Sequence, residues 1–195
     1  MGRGRGVARG RPGVRISGGE LRGRVVPVPR DVRPTEGRVR EALFSIWGEA
    51  IDGARVLDLF AGSGAVTLEA VSRGALEAVA VDGAPRVAAA LEAGVRRVGE
   101  TGRVEVRRAT LPDALAALAA ERPAAFDLVF ADPPYRWPDY PRLVAAAAPL
   151  LAVGGELAVE HASRHELPAE AGGLVRTDVR RYGESALSFY RRAPA

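Results

Sequence analysis

The chain has 195 residues, 47% hydrophobic and 27% charged, which suits one domain with a substantial core and hardly two. All 28 basic residues are arginine, and lysine, cysteine, asparagine and glutamine are absent; this excludes a P-loop nucleotide site, a Schiff-base enzyme, disulfides and a cysteine-held zinc. The net charge of +4 is unevenly laid, with +8 on residues 1–40 and −4 on residues 41–195, so a basic arm on a mildly acidic body points to a polyanion, either nucleic acid or an anionic membrane. The two histidines, His161 and His165, cannot alone furnish a three-histidine centre, and no metal site is predicted. Depletion of heat-labile side chains reads as thermophilic, although a GC-rich genome would also favour Arg, Ala and Gly. The longest apolar run, Leu143 to Val153, is interrupted by Pro149 and falls short of the roughly 18 residues a span needs. With no apolar signal core at the N-terminus, the expectation is a cytoplasmic protein and a monomer.

In chain order, residues 1–13 alternate Arg and Gly without periodicity and read as a basic tail. Val14-Arg15-Ile16 and Arg24-Val25-Val26, parted by Ser17-Gly18-Gly19, predict a small hairpin within residues 14–32. Arg33-Pro34-Thr35 precedes a helix to about Ala50, with Thr35 as its N-cap and Val39, Leu43 and Ile46 on one face. A strand–helix rhythm then sets in. Strands are predicted over Val56–Phe60, Ala78–Asp82, Val104–Arg107, Asp127–Ala131 and Glu156–Glu160. Helices lie between them: Ala65–Arg73 closed by Gly74, one from Pro85, Pro112–Ala120 and Pro141–Ala152. Leu174–Tyr182 and Ala186–Arg192 make a terminal hairpin. The alternation implies an α/β, doubly wound, mostly parallel sheet of seven strands with an antiparallel C-terminal hairpin strand, and such sheets bind ligands at their strands' carboxyl ends.

Three strand ends carry chemistry. Asp58-Leu59-Phe60-Ala61-Gly62-Ser63-Gly64 brings backbone amides close to a ligand at a helix start. Without a ligand the same residues make a tight strand-to-helix turn. A dinucleotide fingerprint would need glycine where Thr67 stands, which disfavours a nicotinamide cofactor. Asp82 ends the next strand, where a carboxylate can accept from both ribose hydroxyls of an adenosine-bearing ligand. Asp132-Pro133-Pro134-Tyr135 follows an apolar strand. Its prolines stiffen the loop and remove two donors, leaving acceptors and a ring suited to an amino-bearing heterocycle.

These three motifs, in this order, resemble S-adenosylmethionine-dependent methyltransferases of exocyclic amino groups. More narrowly the chain is similar to the RsmD family of bacterial 16S rRNA guanine-N2 methyltransferases, with Rossmann-like domains. Ile16-Ser17-Gly18-Gly19, Leu21-Arg22-Gly23-Arg24, Arg33-Pro34-Thr35 and Arg38 to Phe44 carry that narrower likeness. The resemblance implies a methyltransferase domain over residues 33–195. It implies that Asp58, Phe60, Ala61, Gly62, Ser63 and Gly64 hold the methionine end of S-adenosylmethionine, Asp82 its ribose, and Arg33, Pro34 and Thr35 close the pocket. Asp132, Pro133, Pro134 and Tyr135 would receive the base, by resemblance guanine 966 of the small-subunit rRNA. Arg15, Arg22, Arg24, Arg38, Arg40 and Arg136 would contact phosphates. Where relatives place an acid or amide against the adenine, this chain has Arg108-Ala109-Thr110, which leaves that contact to backbone. His161 and His165 read as solvated loop residues, and Trp47, Tyr182 and Tyr190 as packing. Trp137 fits a second platform, a lid or the core.

Three other functions compete. A DNA adenine-N6 methyltransferase shares the Asp-Pro-Pro-Tyr loop, but its usual target-recognition domain has no room in 195 residues. A non-enzymatic RNA-binding module would not need Asp58, Gly62, Gly64, Asp82 and Asp132 together. A small-molecule methyltransferase gives no reason for the arginine arm.

Overall fold

The computed structural model describes residues 13–27 and 37–193. Strand β1 (Gly13–Arg15) pairs antiparallel with β2 (Val25–Pro27), and α1 spans Gly37–Trp47. Then β3 (Arg55–Leu59), α2 (Ala65–Ser72), β4 (Glu77–Asp82), α3 (Pro85–Val98) and β5 (Val104–Arg108) alternate. They are followed by α4 (Ala114–Glu121), β6 (Phe126–Ala131) and α5 (Tyr140–Ala147). The chain closes with β7 (Leu151–Ala162), β8 (Glu170–Ala171), β9 (Leu174–Tyr182) and β10 (Ser185–Arg192).

The main sheet runs β5-β4-β3-β6-β7-β10-β9-β8. Strands β3 to β7 are parallel, and β10 inserts antiparallel between β7 and β9. This is the doubly wound Rossmann-like sheet the alternation predicts, and the two-residue β8 adds an eighth, edge strand to the expected seven. Its faces follow the two-residue period of a strand. Leu57, Leu59, Val129 and Val159 pack with α4 and α5, while Val56, Ala80, Phe130 and Phe189 pack with α1, α2 and α3. Strand order reverses between β3 and β6, which opens a crevice at their carboxyl ends.

A helix end and a helix face are among the differences from expectation. Helix α5 stops at Ala147 instead of Ala152, because Pro149 has no N–H to continue the ladder; a 3-10 turn over Ala148–Leu150 leads straight into β7. On α1 the buried stripe is Val39, Arg40, Leu43, Phe44 and Trp47, and Ile46 is exposed. Trp47, one turn beyond Leu43, takes the place expected for Ile46. Trp47, Tyr182 and Tyr190 all pack, as their sequence context suggests.

The described part of the N-terminal hairpin is docked. Ile16, Leu21 and Val26 are buried among α1, α2 and α3, each stabilising the contact by about 1.5–3 kcal/mol. The Ser17 N–H and hydroxyl both donate to the Glu69 carboxylate at 2.8 Å. The Ser72 hydroxyl donates to the Gly18 carbonyl at 2.5 Å and accepts from the Leu21 N–H at 2.9 Å. Gly19 has φ 73°, and a Cβ there would stand 1.6 Å from the Ser72 carbonyl oxygen, so only glycine permits this approach. The Ile16-Ser17-Gly18-Gly19 segment is therefore the buckle between hairpin and α2. Residues 1–12, the basic tail, and Arg33-Pro34-Thr35 with its cap lie outside the described residues.

Candidate active site

Strand β3 delivers Asp58 beneath α2. The Thr67 N–H and hydroxyl donate to Asp58 Oδ2 at 3.0 and 2.5 Å. Asp58 is 2% exposed. Burial pushes its carboxyl up to about 7 against the Thr67 hydrogen bonds, and the charges of Asp132 and Asp82 push the same way. The residue that breaks the dinucleotide pattern thus has its own task, fixing the acid under the turn. Sequence spacing had marked Thr67 only as a missing glycine.

Phe60 leaves β3 with φ 61°, a left-handed backbone that costs a bulky residue roughly 1–3 kcal/mol. Gly62 (φ 52°) and Gly64 (φ 71°) continue the turn into α2, and a Cβ on Gly64 would lie 2.1 Å from Leu91 Cδ1 of α3. The Gly62 N–H donates to Asp82 Oδ2 at 3.0 Å, and the Ala84 N–H to Asp82 Oδ1 at 2.9 Å. One carboxylate therefore ties the β3 turn to the β4 turn. A carboxylate offers roughly four acceptor sites, so these two bonds leave capacity for a ligand.

Two clefts open at the carboxyl ends of the sheet and meet at Asp132 and Pro134. The first, about 400 Å³, is lined by Phe60, Asp82, Gly83, Ala84, Thr110, Leu111, Asp132 and Pro134. The second, about 330 Å³, lies on the other side of the loop, walled by Asp132 to Tyr135 together with Tyr140, Glu160, His161, Ala162 and Ser185. The Pro134 carbonyl accepts from the Trp137 N–H at 2.8 Å, closing the loop on itself. Trp137 packs edge-on against Phe60 at 5.0 Å, which joins the two turns and makes it a packing residue. Pro133 is buried, while Pro134 and Tyr135 are exposed.

His161 corrects the sequence reading. It is 6% exposed, and burial lowers the affinity of its ring for a proton. Its Nδ1 lies 3.0 Å from the Ala162 carbonyl, which can only accept, so Nδ1 carries the hydrogen. Nε2 then accepts from the Ser188 hydroxyl at 2.8 Å. His161 is a neutral, doubly hydrogen-bonded wall of the second cleft, beside Tyr140. Burial and the charge of Asp132 make the Tyr140 phenol harder to ionise. These residues belong to no motif. The rule that parallel strands place ligands at their carboxyl ends would have found them once β7 was set beside β6.

Of the arginines expected at phosphates, Arg15, Arg22, Arg24, Arg38 and Arg136 are exposed. Arg15 Nη1 donates to the Gly23 carbonyl at 3.3 Å and Arg24 Nη1 to the Val98 carbonyl at 3.1 Å. Arg40 departs from expectation. It is 7% exposed, its Nη2 donates to the Arg15 carbonyl at 3.1 Å, and its Nε lies 3.9 Å from fully buried Glu69. Together with Arg73, whose Nε donates to Glu69 at 2.8 Å, it forms a buried charge cluster under the hairpin, out of a phosphate's reach. Its place one turn before Phe44 on the buried stripe was the available signal.

Among the described residues no helix is long and apolar enough to cross a membrane. Residues 14–191 match the family model described as Conserved hypothetical protein 95. YlbH of Bacillus subtilis (strain 168), named as a candidate rRNA methyltransferase, is 32% identical over 183 residues, covering 92% of this chain and 99% of YlbH. Ribosomal RNA small subunit methyltransferase D of Escherichia coli (strain K12) is 38% identical over 132 residues, 63% of this chain and 61% of that protein. The solved structure of yhhF from Escherichia coli, described as a candidate methyltransferase, superposes with TM-score 0.77 at 31% identity, covering 93% of this chain and 98% of yhhF. With the family model matched over residues 14–191, YlbH similar over nearly its whole length and yhhF sharing the fold, the chain belongs to the RsmD-type methyltransferase family.

Proposed function

We propose that this protein transfers a methyl group from S-adenosylmethionine to the exocyclic N2 amino group of a guanine in 16S rRNA, by family resemblance guanine 966 of the small subunit. The observation that carries the reading is the pair of clefts sharing Asp132 and Pro134. A donor on one side and an acceptor base on the other would meet at that loop.

The first cleft fits the cofactor. Phe60, at the head of the strained, glycine-bearing turn into α2, lines it beside Asp82, and that helix start would offer backbone amides to a carboxylate. Asp82, on the cleft wall, would accept from the ribose hydroxyls, and Asp58, once ionised, would add negative charge for a cationic methionine end. Thr110 and Leu111, with backbone at Gly83, would wall the adenine, as expected from a chain lacking an acid there. Bound there, the cofactor supplies an electrophilic methyl on a sulfonium.

The guanine amino nitrogen is a weak nucleophile because its lone pair is spread into the ring. The Asp132 carboxylate and the Pro133 carbonyl would accept its two hydrogens and aim the lone pair across the loop. The same carboxylate stabilises the positive charge developing on nitrogen. Positioning alone can contribute on the order of 7–11 kcal/mol. The base must leave its stack to enter, and Tyr135 offers it a ring face worth about 1–3 kcal/mol. The exposed arginines Arg15, Arg22, Arg24, Arg38 and Arg136 would take phosphates around the clefts. Incubation of the purified chain with labelled cofactor and undermethylated small-subunit RNA tests the reading. One N2-methylguanine supports it; label on another base, or none, contradicts it.

A further inference from the structure

Tyr135 is 51% exposed, and a ring so open needs something to hold its orientation. That partner is Arg164, which belongs to no recognised motif. Its Nη1 donates to the Tyr135 hydroxyl at 2.9 Å, and its guanidinium carbon stands 4.9 Å from the ring centroid. The turn that carries Arg164 is itself fixed. The Ser163 N–H donates to the Glu184 carbonyl at 2.7 Å, and the His165 N–H returns to the Ala162 carbonyl at 2.8 Å. The lip of the second cleft is thereby pinned both to the end of β7 and to the β9–β10 turn.

Several exposed arginines of this chain are held by acids. Arg142, Arg180 and Arg191 each hold a carboxylate. Arg164 has no carboxylate within ion-pair distance among the described residues, and spends one of its five donors on the phenol. A guanidinium over a ring, exposed and without a close acid, suits a phosphate.

We propose that Arg164 seats the target nucleotide: it fixes Tyr135 as the stacking face of the base cleft and takes a backbone phosphate of the nucleotide whose base enters. The inference rests on the second cleft being the base site and adds to it a positioning residue at the mouth. A base stacked on the inner side of Tyr135 would leave the outer side to Arg164, and the flanking phosphate would lie within the guanidinium's swing. Arg164 touches neither the methyl nor the amino group, so its effect falls on RNA binding and not on the chemical step.

The test uses the full chain and a 16S rRNA fragment that contains the proposed guanine, alongside a copy in which 2-aminopurine replaces that base. Arg164→Ala is expected to raise the KM for RNA about tenfold with kcat within a factor of about three. It should also lower the slope of log binding against log salt by about 0.7, the share of one single-strand phosphate. Arg164→Lys should restore the salt slope and only part of the KM, since an ammonium keeps the charge and loses the planar stack. Tyr135→Phe should keep the slope and lose the fixed quenching of 2-aminopurine. Cofactor affinity and thermal midpoint should match the wild type in all three variants. An unchanged KM and salt slope in Arg164→Ala, while the wild type methylates the fragment, overturns the role of Arg164 alone. Wild-type protein that leaves 2-aminopurine unquenched overturns both this inference and the reading of the cleft.

Discussion

The two clefts on either side of Asp132 are built by different means. The first cleft, proposed for the cofactor, is assembled from short turns whose hydrogen bonds close within the β3–α2 segment or across one strand pair: Thr67 to Asp58, Gly62 to Asp82, Ala84 to Asp82. The second cleft, proposed for the base, takes one wall from the Asp-Pro-Pro-Tyr loop and the other from β7 and the start of β10, more than twenty residues away. A site held by local turns leaves its signature in consecutive letters. A site closed by strand order leaves half of itself unmarked, and the difference says where each function is vulnerable.

The sharpest break is at the shared loop. Asp132→Ala should cut methyl transfer by about a hundred- to a thousandfold, the order seen when a preorganised electrostatic partner is lost. Equilibrium titrations should find cofactor and RNA affinities within about threefold of wild type. Loss of cofactor binding instead would mean that Asp132 holds the cofactor rather than the amino group.

Tyr135→Ala probes the base side by itself. It should weaken RNA binding by roughly ten- to a hundredfold, the equivalent of about 1–3 kcal/mol of stacking, with cofactor affinity untouched.

Asp58 probes the cofactor side through pH. Its carboxyl is held up to about 7 in the folded chain against 3.8 unperturbed, so between those values the native state keeps a proton that the unfolded state releases. Stability contributed by this group is therefore lost as pH rises through that window. Asp58→Asn should flatten this part of the stability profile in urea titrations. Cofactor affinity should move the opposite way and tighten with rising pH up to about 7, because an ionised Asp58 better receives a cation. Calorimetry in buffers of differing ionisation heat should then detect proton release on binding near pH 6.5, and Asp58→Asn should abolish it.

Smaller still is Arg22→Ala on the docked hairpin, which should lower the salt slope of RNA binding by roughly 0.7–0.9 and leave kcat alone. Arg40→Ala should instead lower the unfolding midpoint, because it strips a buried partner from Glu69.

The sequence made the sheet legible because three strand ends are punctuated: Gly62 and Gly64 after β3, Asp82 at the end of β4, Asp132-Pro133-Pro134 after β6. Boundaries failed where one residue serves two elements, as at Pro149 between α5 and β7. Arg40 was misread because a cation in a basic stretch looks solvated until the helical face is drawn through Phe44 and Trp47. His161 and Arg164 had no local mark at all. Their role depends on β7 lying beside β6 with β10 inserted next to it, an adjacency that no spacing in the chain records.

The central claim is that Asp132 stands between a methyl donor and a guanine amino group. Mass-spectrometric mapping of rRNA methylated by the purified chain, wild type against Asp132→Ala, tests it most directly. The account predicts a single N2-methylguanine with wild type and none with the variant. A methyl group on another atom, or an unchanged product from the variant, would contradict it.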